Sequence, residues 1–476
     1  MSHRRTLSRR DFLRVTAVTA TGAAIAACQP AAPALEIREV SKEVPVIQEK
    51  LKEVAKEVEK AVVQTVEKPA RIPKSVKLEV WTGWGPINTN NMRVILDSFK
   101  QANPNFSYEL TMAADENKFL SAAAAGVPPD IYVSMWNMFI AQWAREKAVR
   151  QLDPYIDATG FDINSQLKAG IDGCRWIDGK LYGMAWGTNC TGLMWNKGHF
   201  QEAGLDPEVP PKTWEEVALF AEKLTKKQGP DLARAGYIPT FGCCLDVSGY
   251  CVSFGGSLYN KDYTKLTLNT PEMKCALEYM KSYYDKYGAD AIDRLQATFG
   301  EGAQAGHYSG KISQFLAWEW TPRYGRVYEV NWTYGIAKVP APADRPELIN
   351  KTPVSGAANV IPSGAKQPDA AWELFAFLVG PWATAVRMKD EGNIPTHMDN
   401  LRDPLFTEDP DLSVYMALAF DKNAYAPPLT PVAIELGDEL GRVSQLILHD
   451  KMTIEDGMKE VEQKLQPALD KALQSG

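Results

Sequence analysis

Thirteen tryptophans in 476 residues are the side chains best placed to do chemistry in this chain, and that chemistry is recognition rather than bond making. An indole offers a flat apolar face and one N–H donor, which suits the C–H face and hydroxyl rim of a sugar ring. Trp143, Trp214, Trp372 and Trp382 fall within predicted helices at packing positions. Trp84, Trp136, Trp186, Trp318 and Trp320 fall at strand ends or in loops, where a large aromatic stays uncovered unless a ligand or another part of the chain meets it. Glu319 lies between two of them, and with a second carboxylate such as Asp130 it would meet the minimum for a glycosidase.

Other reaction motifs fail on spacing. Residues 306–311, GHYSGK, approach a phosphate loop but are one residue short, and Ile312 stands where the metal-binding hydroxyl belongs. That stretch reads as a turn entering a strand. There is no HExxH and no nucleophile elbow, and the five histidines are scattered. Tyr279, Tyr283 and Tyr287 are at helical spacing and read as packing. No cofactor or metal is expected.

The N-terminus carries addresses rather than fold. Ser8-Arg9-Arg10-Asp11-Phe12-Leu13-Arg14 fits the twin-arginine export pattern, followed by an uncharged run over 15–27 that is too short to span a bilayer stably. Ile25-Ala26-Ala27-Cys28 fits a lipoprotein cleavage box, with the Cys28 thiol as the lipid acceptor. Loss of residues 1–27 would remove five Arg and one Asp, leaving 47 basic against 58 acidic side chains, a balance of −11. Such a surface repels phosphates, which argues against nucleic acid as a partner. Residues 28–75 read as a spacer, with Lys-Glu-Val recurring at 42, 52 and 56. Cys174, Cys190, Cys243, Cys244, Cys251 and Cys275 remain. A turn at Asp178-Gly179 sets Cys174 opposite Gly183 and far from Cys190, so a disulfide would join Cys243 or Cys244 to Cys251 or Cys275.

The elements that must position the tryptophans follow in order. VKLEVW reads as a first buried strand, and residues 82–86 form a Gly-rich loop carrying Trp84 and Gly85. A helix with Met92, Ile95, Leu96 and Phe99 on one face follows. FSYELTM, a second helix and IYVSMW complete a strand-helix alternation that predicts an α/β fold with a parallel sheet. Ligands in such sheets lie beyond the carboxyl ends of the strands. Trp84, Trp136 and Asn137 thus share one edge. Asp178-Gly179 predicts a tight hairpin turn, and Gly187-Thr188-Asn189 separates two apolar runs as a candidate hinge. Residues 196–227 read as mostly helical, with Thr213 as N-cap and Glu215 and Glu216 in the first turn. KISQFLAWEW reads as a strand ending in a loop at Thr321, Pro322 and Arg323.

DGKLYG, MWNK, AGLD and PPKTWEE occur in that order within about fifty residues. Together they resemble the run typical of family 1 extracellular solute-binding proteins, the maltose-binding-protein class that serves ABC importers. AAAAGVPPDIYV, LDPYI, YCVSFGGSLY, VSGAANVIP and GNIPTH resemble further parts, so the resemblance spans about 400 residues. It implies a periplasmic-binding-protein type II fold with two hinge-linked lobes and a ligand cleft between them. Lobe 1 would take residues 76–188 and 355–397, lobe 2 residues 189–354, with 398–476 a helical part packing on lobe 2. It implies a binder, not an enzyme: a monomer held outside the cytoplasm by its lipid, capturing a sugar or another small solute for an ABC permease. Trp84 and Asn137 match the family's contact positions best, and Trp318 and Trp320 fall where sugar-binding members carry loop aromatics. Gly85, Trp136, Trp186, Glu319, Arg323 and Gly356 complete the expected ligand set. The C-terminal aromatic that maltose-binding proteins use is not evident in AYAPPLTP, a departure from maltodextrin recognition.

Overall fold

Leu78, Val80 and Thr82 alternate with more exposed neighbours along the first strand, and this period of two buries one row against helices. In the computed structural model, which describes residues 75–85, 89–176, 178–242 and 245–475, that strand is β1 (Val76–Thr82). It pairs in parallel with β2 (Phe106–Thr111) and β3 (Ile131–Ser134). Helices Thr89–Ala102 and Glu116–Ala124 make the crossovers. The first buries Met92, Ile95, Leu96 and Phe99, the stripe that the sequence predicts. The signal, the lipid-acceptor cysteine and nearly all of the spacer lie outside the described residues.

All thirteen residues of β4 (Met184–Asn196) are buried. Its first part pairs antiparallel with β9 (Val354–Val360), from Met184 opposite Asn359 to Cys190 opposite Val354. Its second part pairs with β7 (Gln314–Trp318), from Thr191 opposite Trp318 to Trp195 opposite Gln314, and with β8 (Tyr334–Ala337). One strand therefore belongs to both halves, and the change of partner falls between Cys190 and Thr191. The sheet runs β10-β4-β9-β3-β1-β2, where β10 is Ile394–Pro395, with β7 and β8 added on β4.

This corrects the expected interruption at residues 187–189. The chain stays extended there, and the only slip is a bulge between Ala185 and Gly187. The glycines serve close approach instead. A Cβ on Gly187 would lie 2.5 Å from Met388 Sδ, and one on Gly356 would lie 2.3 Å from the Gly187 carbonyl oxygen.

Two apolar cores flank this crossing. The first gathers Leu78, Phe119, Trp143, Trp372 and Phe375. The second gathers Trp214, Tyr237, Tyr250, Leu277 and Tyr283. Thr213 and Glu216 close a capping box on helix Trp214–Leu224, and Thr270 caps helix Pro271–Tyr287 with proline in its first turn. The helical reading of 196–227 runs too far: Leu224 ends the helix, and β5 (Lys226–Gln228) pairs with β6 (Asp231–Arg234) around Gly229 at φ +61°. The C-terminal part also divides. Phe406, Leu412, Tyr415 and Met416 join the first core, whereas helices Ala433–Leu448 and Ile454–Ser475 pack in the second.

The chain turns at Asp178-Gly179 but not as the two-residue hairpin expected: Gly179 is at φ +76°, Asp178 is not at positive φ, and Trp176 N–H donates to the Lys180 carbonyl at 3.0 Å. Its register is one residue from that expected, with Tyr182 N–H donating to the Cys174 carbonyl at 3.1 Å. Cys174, Cys190, Cys251 and Cys275 are free thiols, so neither Cys251 nor Cys275 is bridged, and Cys243 and Cys244 lie outside the described residues.

The close crossing yields a paired prediction. Gly356→Ala should lower the thermal midpoint by several degrees, since overpacking against backbone costs about 1–3 kcal/mol. Gly437→Ala, within helix Ala433–Leu448 where an added Cβ meets nothing within 4 Å, should raise it slightly, by about 0.5–1 kcal/mol of helix propensity. Equal midpoints for Gly356→Ala and wild type would show that the crossing has room to spare.

Candidate functional site

Five chain segments place large aromatics around one opening between the halves. Trp84 follows β1 and Trp136 follows β3, both at carboxyl ends of parallel strands. Thr82 Oγ1 accepts from Trp84 N–H at 3.2 Å and Ser134 Oγ accepts from Trp136 N–H at 3.1 Å, fixing both loops. Trp186 sits at the β4 bulge. Helix Thr321–Val327 follows β7, so Trp320, Tyr324 and Tyr328 stack along one face at intervals of four. The segment expected to be a loop is thus a helix, because proline is tolerated in a first turn. His307 and Tyr308 complete the second half's wall.

Together these residues line a cavity of about 410 Å³, within the range of small-molecule sites. Trp84 and Trp186 meet edge to face at 6.1 Å, as do Trp320 and Tyr324 at 5.5 Å. Trp136 of the first half touches Trp318 of the second at 6.2 Å between ring centroids. Beneath the first pair the Arg387 guanidinium lies 3.3 Å from the Trp186 ring centroid and 5.7 Å from that of Trp84, a cation over two π faces.

Charge in the cavity is balanced. Arg387 Nε donates to Glu391 Oε1 at 2.9 Å, with both side chains buried. Burial pulls the guanidinium pKa down and pushes the carboxyl pKa up, each opposed by the partner's charge. Burial also lowers the pKa of His307 to about 4, so its ring is neutral near pH 7. Trp84 Nε1, Trp186 Nε1, His307 Nε2 and Asn393 Oδ1 find no hydrogen-bond partner among the described residues. The surface therefore offers apolar faces without net charge, and these four unpartnered polar atoms are buried in its wall.

A neighbouring cavity of about 420 Å³ is saline by contrast. Arg323 and Arg326 from the second half reach Asp390 and Asp411 of the first, and Lys389 pairs with Asp409 at 2.8 Å. The two arginine pairs bridge the halves beside the aromatic opening, whereas Lys389–Asp409 lies within the first half.

A family model described as bacterial extracellular solute-binding protein matches residues 95–414. The chain belongs to this family. A binding protein of Brucella abortus (strain 2308) is 24% identical over 368 residues, covering 74% of this chain and 83% of the relative. The sn-glycerol-3-phosphate-binding periplasmic protein of Yersinia pestis bv. Antiqua (strain Antiqua) is 27% identical over 141 residues, 27% of this chain and 31% of the relative. Among solved structures, CpMnBP1 with mannotriose bound is similar at 25% identity and a TM-score of 0.74, covering 82% of this chain and 99% of that one. The maltose/maltodextrin-binding domain of Bdellovibrio bacteriovorus MalE shares the fold at 17% identity and a TM-score of 0.67, over 83% of this chain and 99% of that one. The fold is the two-lobed α/β type of these proteins, and the relatives are binding proteins. Among the described residues no helix is long and apolar enough to cross a membrane, and no cluster of three or more His, Cys, Asp or Glu could hold a metal.

Of the residues singled out from sequence, Trp84, Trp136, Trp186 and Trp320 line the aromatic cavity. Trp318 does not line it but braces Trp136. Asn137 is engaged in the fold: Nδ2 donates to the Gly173 carbonyl at 2.8 Å and Oδ1 accepts from Gly356 N–H at 3.5 Å. Gly356 belongs to the strand crossing, and Gly85 lies beside Trp84 without lining the cavity. Glu319 and Arg323 line the neighbouring cavity, and Glu319 Oε2 accepts the Cys190 N–H at 3.1 Å. Asp130 is a brace within the first half, accepting from Glu79, Lys366 and Gln367 backbone N–H. A two-carboxylate hydrolase site built on Glu319 and Asp130 therefore has no support in the geometry.

Sequence reading missed His307, Tyr308, Tyr324, Tyr328, Arg387, Glu391 and Asn393. A helical stripe at Trp320, Tyr324 and Tyr328 was available as a signal for two of them. His307 and Tyr308 lay within the failed phosphate-loop match, Asn393 lay within the family-like GNIPTH stretch without being singled out, and no local pattern marks Arg387 or Glu391.

Proposed function

We propose that this protein captures an uncharged sugar or oligosaccharide outside the cytoplasm by closing its two lobes around it, and delivers it to an ABC permease. The observation that carries this reading is the opening walled by aromatics from both lobes, with unpartnered N–H and C=O groups but balanced charge. Sugar rings present C–H faces to stack on indoles and hydroxyls that both donate and accept. A ligand touching both lobes favours the closed arrangement by its differential contacts, which lets a transporter distinguish loaded from empty protein. The mannotriose bound to the similar CpMnBP1 supports the same ligand class. Twin-arginine export and lipid attachment at Cys28 are part of the proposal, resting on residues 8–14 and 25–28.

A thermal-shift screen with mannobiose, mannotriose, maltotriose and sn-glycerol 3-phosphate tests the reading, since a ligand that binds only the native state raises the midpoint. At least one sugar should shift it, and Trp320→Ala should then weaken that sugar about thirtyfold, roughly 2 kcal/mol, with the unliganded midpoint nearly kept. Trp143→Ala, in the first core, should instead cost about 3–5 kcal/mol of stability. No shift with any sugar, or unchanged affinity in Trp320→Ala, would refute the reading. For the anchor, metabolic labelling with a radioactive fatty acid should mark the wild type and not Cys28→Ala. Labelling of both would remove Cys28 as the lipid site.

A further inference from the structure

Arg387 and Glu391 lie one turn apart on helix Pro381–Glu391 and are 5% and 2% exposed. Burying such a pair is expensive, and apolar side chains of similar volume often serve stability as well or better. Its retention here has a use visible in its neighbours. Glu391 Oε1 takes Arg387 Nε–H, and Oε2 takes Asn393 Nδ2–H at 3.2 Å. A carboxylate accepts about four hydrogen bonds, so these two leave acceptor capacity. Asn393 is 5% exposed, and its Oδ1, turned from Glu391 by that same bond, meets no partner among the described residues. Both Glu391 and Asn393 line the aromatic cavity. The indole N–H groups of Trp84 and Trp186, whose rings lie against the same Arg387, are likewise buried and unpartnered, so a ligand meets them and Asn393 Oδ1 as the lobes close on it.

We propose that Glu391 and Asn393, with the two indole N–H groups, form a specificity subsite that reads a pair of adjacent hydroxyls on an uncharged sugar, and that Arg387 positions it. This rests on the sugar-binding reading above. One hydroxyl donates to the Glu391–Asn393 acceptors while its neighbour accepts from an indole N–H. Arg387 holds the carboxylate in place and packs against both tryptophan rings. Because its charge is spent on Glu391, a phosphate arriving here meets a carboxylate and an ammonium meets a guanidinium. Neither ion gains what an uncharged diol gains. A sugar that lacks one of the two hydroxyls leaves a buried polar atom unpaired, and sites of this kind reject such analogues strongly.

Calorimetric titration of mannotriose, maltotriose and sn-glycerol 3-phosphate tests this, using wild type, Asn393→Ala and the double variant Arg387→Met/Glu391→Met, with unliganded midpoints measured in parallel. Wild type should bind a sugar and not the phosphate. Asn393→Ala should lose at least tenfold in affinity for that sugar with its midpoint lowered by no more than the few degrees that one lost buried hydrogen bond costs, and the double variant should lose more affinity. A merely structural pair would lower the midpoint and leave the dissociation constant alone wherever the variant is folded. If the double variant does not fold, Asn393→Ala decides. Wild-type affinity in folded Asn393→Ala overturns the subsite and leaves the sugar reading standing, whereas absence of sugar binding by wild type removes both. Tighter binding of sn-glycerol 3-phosphate than of either sugar would make this end an anion site and overturn the proposal.

Discussion

The halves of this molecule are joined where β4 and β9 run side by side as an antiparallel pair, bulged so that Gly187 and Gly356 have no room for a side chain. Gly356 lies against the Gly187 carbonyl, and Gly187 against Met388, so β4 and β9 pass at backbone distance. That approach allows β4 to be buried along its whole length while it exchanges partners from β9 and β10 to β7 and β8. Shared strands of this kind fix the two lobes in register without welding their cores, which remain separate clusters. The opening between the lobes is a consequence of that arrangement. Its floor is the crossing, and its walls are whatever the strand ends and following helices present.

What they present is mostly aromatic, and the electrostatics follow from keeping it so. Arg387 packed against Trp186 would be an uncompensated buried charge without Glu391, and Glu391 would be one without Arg387. Pairing them keeps the opening neutral and polarisable. Beside it, Arg323–Asp390 and Arg326–Asp411 link the lobes through more exposed pairs. Arg323–Asp390 is the more exposed of the two, and such pairs are weak individually and sensitive to salt, which suits the lobe closure proposed above.

The strands and helices of the first lobe were legible because their burial obeys local periods, as at Met92, Ile95, Leu96 and Phe99, and because proline and capping residues mark their ends. The two-lobed plan was legible from the order of several short motifs. Reading failed where a residue's role is set by distant backbone. Gly187 looked like a bend because nothing local shows that Met388 and Gly356 crowd it. Asn137 looked like a ligand contact, yet Gly173 and Gly356 use both ends of its amide. Arg387 and Glu391 look like any solvated pair four residues apart on a helix, and only the fold puts indoles over them. The tryptophans were found because size and position at strand ends are local properties. Tyr324 and Tyr328 were not, because Pro322 disguised the start of their helix.

In the proposed function one ligand sits between aromatics of both lobes, above the β4–β9 pairing. A crystal structure of the protein with mannotriose at saturating concentration tests it most directly. Sugar density is expected in the cavity lined by Trp84, Trp186 and Trp320, with a ring stacked on at least one indole and hydroxyls within hydrogen-bond distance of Asn393. Sugar bound elsewhere on the molecule, or a cavity left empty at saturation, would contradict it.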